Sequence, residues 1–270
     1  MSDFLKTMAS HSAERAAAVS GSFSSADFDK PVIPLTLSTF DVIAEIKDRS
    51  PAEGTLKTPN SYGDSDHNSR AKSYAAGGAA AISVLTEPSR FDGDLAHLEA
   101  VVAAVPGTPV MRKDFLVEPV QILEARKAGA SGVLLIATML SDTKLREMLD
   151  CAWEHELFVL LESFDEEDLR RSSRLLDNTV DLEKADGGQL LVGVNTRNLR
   201  TLEVDPDRLK NLAPALPNAR CVAESGLLVP DDAARVAAWG YSTALVGTAL
   251  MRSDDPAALV TAMRDAGAVV

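Results

Sequence analysis

Eight short apolar runs, rich in Val, Ile and Leu, recur at residues 41–47, 80–87, 109–115, 132–139, 157–163, 190–197, 220–226 and 243–250. Each is 7 or 8 residues long, and successive starts are 23 to 39 residues apart. Near-continuous apolarity, rather than strict alternation, marks a parallel strand covered on both faces. Segments of helical period lie between the runs, most clearly at 95–104, 119–128, 142–154, 165–176, 206–212 and 230–238. Pro119, Pro206 and Pro230 suit first-turn positions, and Asp142 and Asp231 suit caps. A further helix is expected over 2–20, where Phe4, Leu5 and Met8 fall at helical spacing, followed by a Ser/Gly/Asp connector over 21–30. Eight strand–helix units predict an α/β fold of the (β/α)8 TIM-barrel type, since an open doubly wound sheet usually has fewer strands. The expected organisation is one domain over 1–270, with a helical extension at 1–40 and the barrel at 41–270.

Two stretches break the pattern. Residues 57–68 (KTPNSYGDSDHN) are polar and follow the first strand, where a barrel carries its functional loops, so a lid is expected there. Residues 178–189 (NTVDLEKADGGQ) precede the sixth strand and read as a surface elaboration on the opposite, stability face.

Composition adds limits. The chain is 46% hydrophobic and 25% charged, which suits a large core. A net charge of −13 argues against general affinity for nucleic acid or acidic lipid, so an anionic substrate would need locally gathered cations. Cys151 and Cys221 have no disulfide or metal spacing and read as buried free thiols. No apolar run approaches the ~18 residues of a membrane span and no signal peptide is visible, so a cytoplasmic enzyme is expected. His11, His67, His97 and His155 are scattered, with none at a strand end. They read as surface residues, and no metal is expected. No dinucleotide fingerprint, P-loop or HExxH motif appears, so no cofactor is expected either.

The chemistry-bearing residues sit at the C-terminal ends of the apolar runs. Side chains alternate faces along a strand. Glu45 and Lys47 therefore share a face, as do Met111, Lys113 and Phe115, and as do Gly193, Asn195 and Arg197. If those faces point inward, the barrel mouth collects Lys47, Lys113, Arg197, Glu45, Glu162, Glu224 and Asn195. Such a set can hold a carboxylate, polarise a carbonyl and run acid–base steps. A structural salt-bridge network is the competing reading for any one of them. It is a poor one for all together, because buried ionic networks are weak sources of stability. The seventh and eighth runs end in Glu224-Ser225-Gly226 and Val246-Gly247-Thr248, where barrels of the phosphate-binding type hold a phosphate.

Assembled, these residues resemble the indole-3-glycerol phosphate synthase family. The matching stretches are VIAEIKDRSPAEG (42–54), ISVLTEPSRFDGDLAHL (82–98), PVMRKDF (109–115), QILEARKAGASGVLLI (121–136), LVGVNTRNLRTLEVD (191–205), VAESG (222–226) and ALVGTALMR (244–252). The resemblance implies ring closure of 1-(2-carboxyphenylamino)-1-deoxyribulose 5-phosphate with loss of carbon dioxide and water, in tryptophan biosynthesis and without a cofactor. It implies Lys113 as general acid and Lys47 on the substrate carboxylate. Glu162 becomes the acid or base of the dehydration, and Glu45, Asn195 and Glu224 become orienting groups. Arg197 would assist the carboxylate side, and Phe115 and Leu199 would pack on the aromatic ring. Ser50, Ser225, Gly226, Gly247 and Thr248 would hold the phosphate. The partner implied is a phosphorylated small molecule, bound by a monomer or weak homodimer.

The chain departs from the family pattern in places. Ala52-Glu53-Gly54 stands where Ser-Lys-Gly is usual, and Asp48 is acidic where a basic or neutral residue is frequent. Ser163-Phe164 replaces a common Val-His pair, residues 57–70 lack the usual amphipathic pattern, and the 178–189 insertion is unusual. Two other classes of function fit a barrel. A phosphate-binding isomerase would use a Cys/Asp or Asp/Asp pair, whereas these strand ends offer lysines and glutamates. A non-catalytic scaffold would have no reason to keep costly buried charges.

Overall fold

The computed structural model describes residues 2–19, 22–50, 54–56, 65–197, 199 and 205–269. Its centre is a closed barrel of eight parallel strands. They are β1 (Asp41–Ile46), β2 (Ala81–Leu85), β3 (Val110–Lys113), β4 (Gly132–Ile136), β5 (Phe158–Ser163), β6 (Leu190–Asn195), β7 (Arg220–Glu224) and β8 (Thr243–Val246). Each strand pairs with its sequence neighbours, and β8 closes on β1 with Asp41 opposite Thr243. The expected fold class is therefore the observed one.

Strand alternation divides the apolar residues between two cores. One set, including Val42, Ala44, Val84, Val133, Val159, Leu161, Val192 and Val246, packs outward against the helices. The other, including Ile43, Met111, Leu134, Phe158, Leu160, Leu191, Val222 and Leu245, fills the barrel. Ile43 faces inward, so Glu45, two residues on, does too. The barrel is thus plugged with hydrocarbon below and capped by charge above.

Several expected strands end early. β4 stops at Ile136, because Ala137–Met139 tighten into a 3-10 turn. β8 stops at Val246, and Thr248–Arg252 is already helical. Caps also differ by a residue. Ser141, not Asp142, caps the helix Asp142–Glu154 by accepting from the Lys144 amide. Asp231 lies in the first turn of Pro230–Ala238, while the Asp232 carboxylate takes the Leu228 and Val229 amides. The connector expected over 21–30 contains a 3-10 turn at Ser25–Phe28.

Two polar stretches are more ordered than their composition suggests. The expected lid at 57–68 falls partly outside the described residues, but Ser65–Ala76 is a helix, so its last part is not irregular. Ala71 and Tyr74 anchor that helix, both fully buried three residues apart. The 178–189 stretch contains the helix Thr179–Asp186, capped by Asn178. Asp181 on it is fully buried and accepts from Arg146 at 2.6 Å and from the Trp153 indole at 3.3 Å. The stretch is a surface elaboration, as expected, but Asp181 tethers it into the helical layer.

The N-terminal helix Asp3–Ala18 lies across the C-terminal mouth of the barrel. Its Phe4 meets Phe115 edge-on at 5.9 Å, and Ser2 Oγ donates to the Leu199 carbonyl at 2.7 Å. Arg15 reaches Asp114 at 2.6 Å, beside the strand end that carries Lys113. Among the described residues no helix is long and apolar enough to cross a membrane.

Removing a buried acceptor strands its donors. Asp181→Ala should therefore lower unfolding free energy by about 2 kcal/mol, read by urea denaturation. Turnover at low temperature should be unchanged, because Asp181 lies outside the mouth; a silent stability curve would disprove the tether.

Candidate active site

A cavity of about 500 Å³ opens at the C-terminal mouth. Every residue singled out from the sequence lines it except Glu224: Glu45, Lys47, Ser50, Lys113, Phe115, Glu162, Asn195, Arg197, Leu199, Ser225, Gly226, Gly247 and Thr248. Glu224 is fully buried immediately behind Lys113.

The charged groups form one connected cluster. Lys113 Nζ lies 3.2 Å from Glu45 Oε2 and 3.4 Å from Glu224 Oε2. Lys47 Nζ lies 3.0 Å from Glu45 Oε1, so Glu45 bridges both lysines. Asn195 donates to Glu162 at 3.0 Å, and its own carbonyl oxygen accepts the Arg197 amide at 2.9 Å. Strand register sets these meetings. Asn195 is opposite Glu224, and Glu162 is opposite Gly193.

Two glycines make the room. A Cβ at Gly193 would collide with the Glu224 carboxylate. One at Gly247 would collide with Glu45 and crowd Lys47. Any side chain at either position would push a carboxylate off its lysine. Ser225, next to Glu224, sits in the left-handed region at φ +67, an unusual conformation for a residue with a Cβ. The backbone turns there, directly over the cavity.

The three carboxyl groups are not equivalent. Burial would raise Glu45, but Lys47 and Lys113 outweigh it and hold its pKa at about 2. Burial raises Glu162 despite Lys113, and raises Glu224 well above the ordinary range, with the Glu162 charge adding to it. Two buried carboxyls side by side favour retention of a proton between them. Glu224 Oε1 has no donor, which is consistent with that proton. Burial would lower Lys113, but Glu45, Glu224 and Glu162 hold it above the ordinary range, so it stays an ammonium.

Much of the remaining wall is apolar: Phe4, Phe91, Leu134, Ile136 and Leu245 join Phe115 and Leu199, with Asp114 and Thr196 as its polar members. Phe91 and Phe115 lie 6.0 Å apart, and with Phe4 they form an aromatic edge suited to a flat ring. Sequence reasoning missed these wall residues. Strand parity gives Leu134 and Ile136 away, since they share the Lys113-type inward face. Nothing local marks Phe4, whose place follows from long-range docking of its helix. Ala52 and Glu53 of the departing first loop lie outside the described residues.

One expectation about histidine fails. His67 is 3% exposed, with Nε2 at 2.7 Å from Asp48 Oδ1, because Ser65–Ala76 is a helix that turns it inward. His97 is half-buried beside it. Cys151 is also only half-buried, while Cys221 is buried; burial pushes their thiols up to about 11 and about 12, so neither is a nucleophile at neutral pH.

Comparison with known proteins agrees with this geometry. The indole-3-glycerol phosphate synthase family model matches residues 8–263. The chain belongs to the indole-3-glycerol phosphate synthase family. It is accordingly a carboxy-lyase of tryptophan biosynthesis acting on a phosphorylated small molecule. Indole-3-glycerol phosphate synthase of Nocardioides sp. is 47% identical, covering 88% of this chain and 86% of the relative. That of Salinibacter ruber is 40% identical, covering 83% and 77%. Among solved structures, 3-hexulose-6-phosphate synthase from Salmonella typhimurium superposes with a TM-score of 0.60 at 16% identity, covering 84% of this chain and 98% of that one. Tryptophan synthase subunit alpha from Legionella pneumophila gives 0.55 at 16% identity, covering 86% and 94%. These two likenesses concern the barrel fold alone.

The cluster's energetics are testable. Glu45 is charged in the folded state below its unfolded pKa, so its stabilisation is present above about pH 4.5 and drains as pH falls toward 2. Glu224 has the opposite sign: its contribution is present at low pH and is lost as pH rises through its raised folded pKa. At pH 7, Glu45→Gln should therefore cost about 3 kcal/mol by breaking a buried pair, and Glu224→Gln, which mimics the protonated form, clearly less. Chemical denaturation of both variants decides, and equal losses would contradict the asymmetry.

Proposed function

We propose that Lys113 is the general acid of the family reaction, and that the mouth cluster divides the remaining steps by the charge each group carries. The observation that carries this reading is the placement of Lys113. Its ammonium lines the cavity while the Glu45 carboxylate and the Glu224 carboxyl group fix it from beside and behind. As the anthranilate ring carbon attacks the ketone carbon, the ketone oxygen gathers negative charge. A fixed ammonium stabilises that charge without reorganising. An alkoxide is a stronger base than an amine, so proton transfer from Lys113 then runs downhill.

Lys47, bridged by Glu45 on the same face, meets the substrate carboxylate with help from Arg197. Loss of that carboxylate as carbon dioxide leaves its bonding electrons to the ring. Glu162, whose pKa is raised by burial, then supplies the proton that lets the new hydroxyl leave as water. Loss of a proton from the five-membered ring completes the indole. Asn195 holds Glu162 in line, and Glu45 and Glu224 hold the lysines. Ser50, Ser225, Gly226, Gly247 and Thr248 take the phosphate on one side of the cavity, and Phe115 and Leu199 take the aromatic ring on the other. No group in this scheme calls for a cofactor. The acidic surface, net −13, supports a free small molecule rather than nucleic acid as the partner. We place the enzyme in the cytoplasm, as a monomer or weak homodimer.

Formation of indole-3-glycerol phosphate from the carboxyphenylamino-deoxyribulose phosphate, followed by fluorescence, tests the assignment. Lys113→Ala should lower kcat by at least about 100-fold, the smaller end of general acid effects, with far-UV circular dichroism unchanged. Retained turnover in a folded variant would move the proton to Lys47.

A further inference from the structure

Outside the reaction cavity, three potential metal ligands converge on one point of the fold. Asp48 follows Lys47 where β1 leaves the barrel, His67 is the third residue of the helix Ser65–Ala76, and His97 is the third residue of the helix Leu95–Ala104. One ring nitrogen of each imidazole and one Asp48 carboxylate oxygen all lie within 4.8 Å of one another. The two rings are 4.5 Å apart between centroids and inclined at 59°. Asp48 and His67 are already in contact at 2.7 Å. A cavity of about 10 Å³ is lined by these three residues, with Lys47, Asp92 and Gly93 also on its wall. That is about the space of a single water or ion.

We propose that Asp48, His67 and His97 form a binding site for one divalent cation of the zinc class, which staples the exit of β1 to the first two outer helices. Two imidazoles and one carboxylate select Zn²⁺ and its neighbours over Mg²⁺ or Ca²⁺, which prefer oxygen ligands. Three protein ligands leave a fourth position to solvent. Tetrahedral bonds of ~2.0–2.1 Å place ligand atoms roughly 3.3 Å apart. The cation opens the Asp48–His67 contact by a few tenths of an ångström and draws the outlying ligand inward. The site's charge is then +1 rather than −1 beside Lys47, the first cation of the reaction cavity. The three ligands come from three elements, so the gain is rigidity of the β1 exit. Binding stabilises the fold by mass action and does not take part in the chemistry.

The test uses the full chain, freed of tag and stripped with a chelator. Co²⁺ titration should give the intense visible absorption of a tetrahedral site, saturating at one metal per chain, and Zn²⁺ should bleach it. Zn²⁺ should also raise the thermal midpoint. His97→Gln should abolish both signals and leave the turnover of the stripped protein unchanged, since His97 does not line the reaction cavity. Asp48→Asn should weaken Co²⁺ affinity at least tenfold. Octahedral, weakly coloured cobalt, or equal binding by wild type and His97→Gln, would overturn the site and leave a plain Asp–His hydrogen bond.

Discussion

The Lys113 ammonium, held between Glu45 and Glu224, is the contact on which the rest of the mouth depends. A buried lysine is expensive unless its charge is met, and here three carboxyl groups surround it. That arrangement dictates what can stand nearby. Gly193 and Gly247 must lack side chains, or the carboxylates lose their places. Asn195 must present its amide to Glu162, or a second buried carboxyl stands alone. The apolar plug beneath, from Phe158 and Leu160 to Val222, keeps water from solvating the cluster from below. The site is therefore costly as a structure, and its cost is understandable as electrostatics arranged in advance of the reaction.

A closed barrel is the scaffold that makes this affordable. Eight parallel strands bring eight C-terminal ends to one rim, and alternation decides which side chain turns inward. Asn195 faces Glu224 because of strand register, not because of any local feature of either segment. The functional groups come from the ends of several different strands. The site exists only when the sheet closes.

This explains what could be read from the chain. Strand number, the inward face and the polar strand ends follow from period and parity, which are local. Glu45, Lys113 and Asn195 stand out because a charged or amide group interrupts an apolar run at a fixed place. Strand lengths were overestimated at β4 and β8, where apolar residues continue into Ala137–Met139 and Thr248–Arg252 after the backbone has turned. Periodicity sees hydrophobicity, not the turn. The burial of His67 and Asp181 goes unmarked in the sequence for a related reason. Each lies in a polar stretch, and each is buried by a partner, Asp48 or Arg146, that is distant in sequence. Pairing across 19 or 35 residues leaves no periodic trace.

The N-terminal helix shows the same limit from the functional side. Its amphipathic character predicts a helix but not an address. Arg15 supplies the address: it meets Asp114, which also accepts from Thr86, Arg112 and the Phe115 amide. Asp114 thus locks the backbone between Lys113 and Phe115, and the helix docks onto that lock. Docking brings Phe4 against Phe115 and Ser2 against Leu199, closing the apolar side of the cavity. The same carboxylate that orders the end of β3 therefore also recruits the cover over it. Substrate-sized enclosure and lysine placement are two consequences of one buried charge.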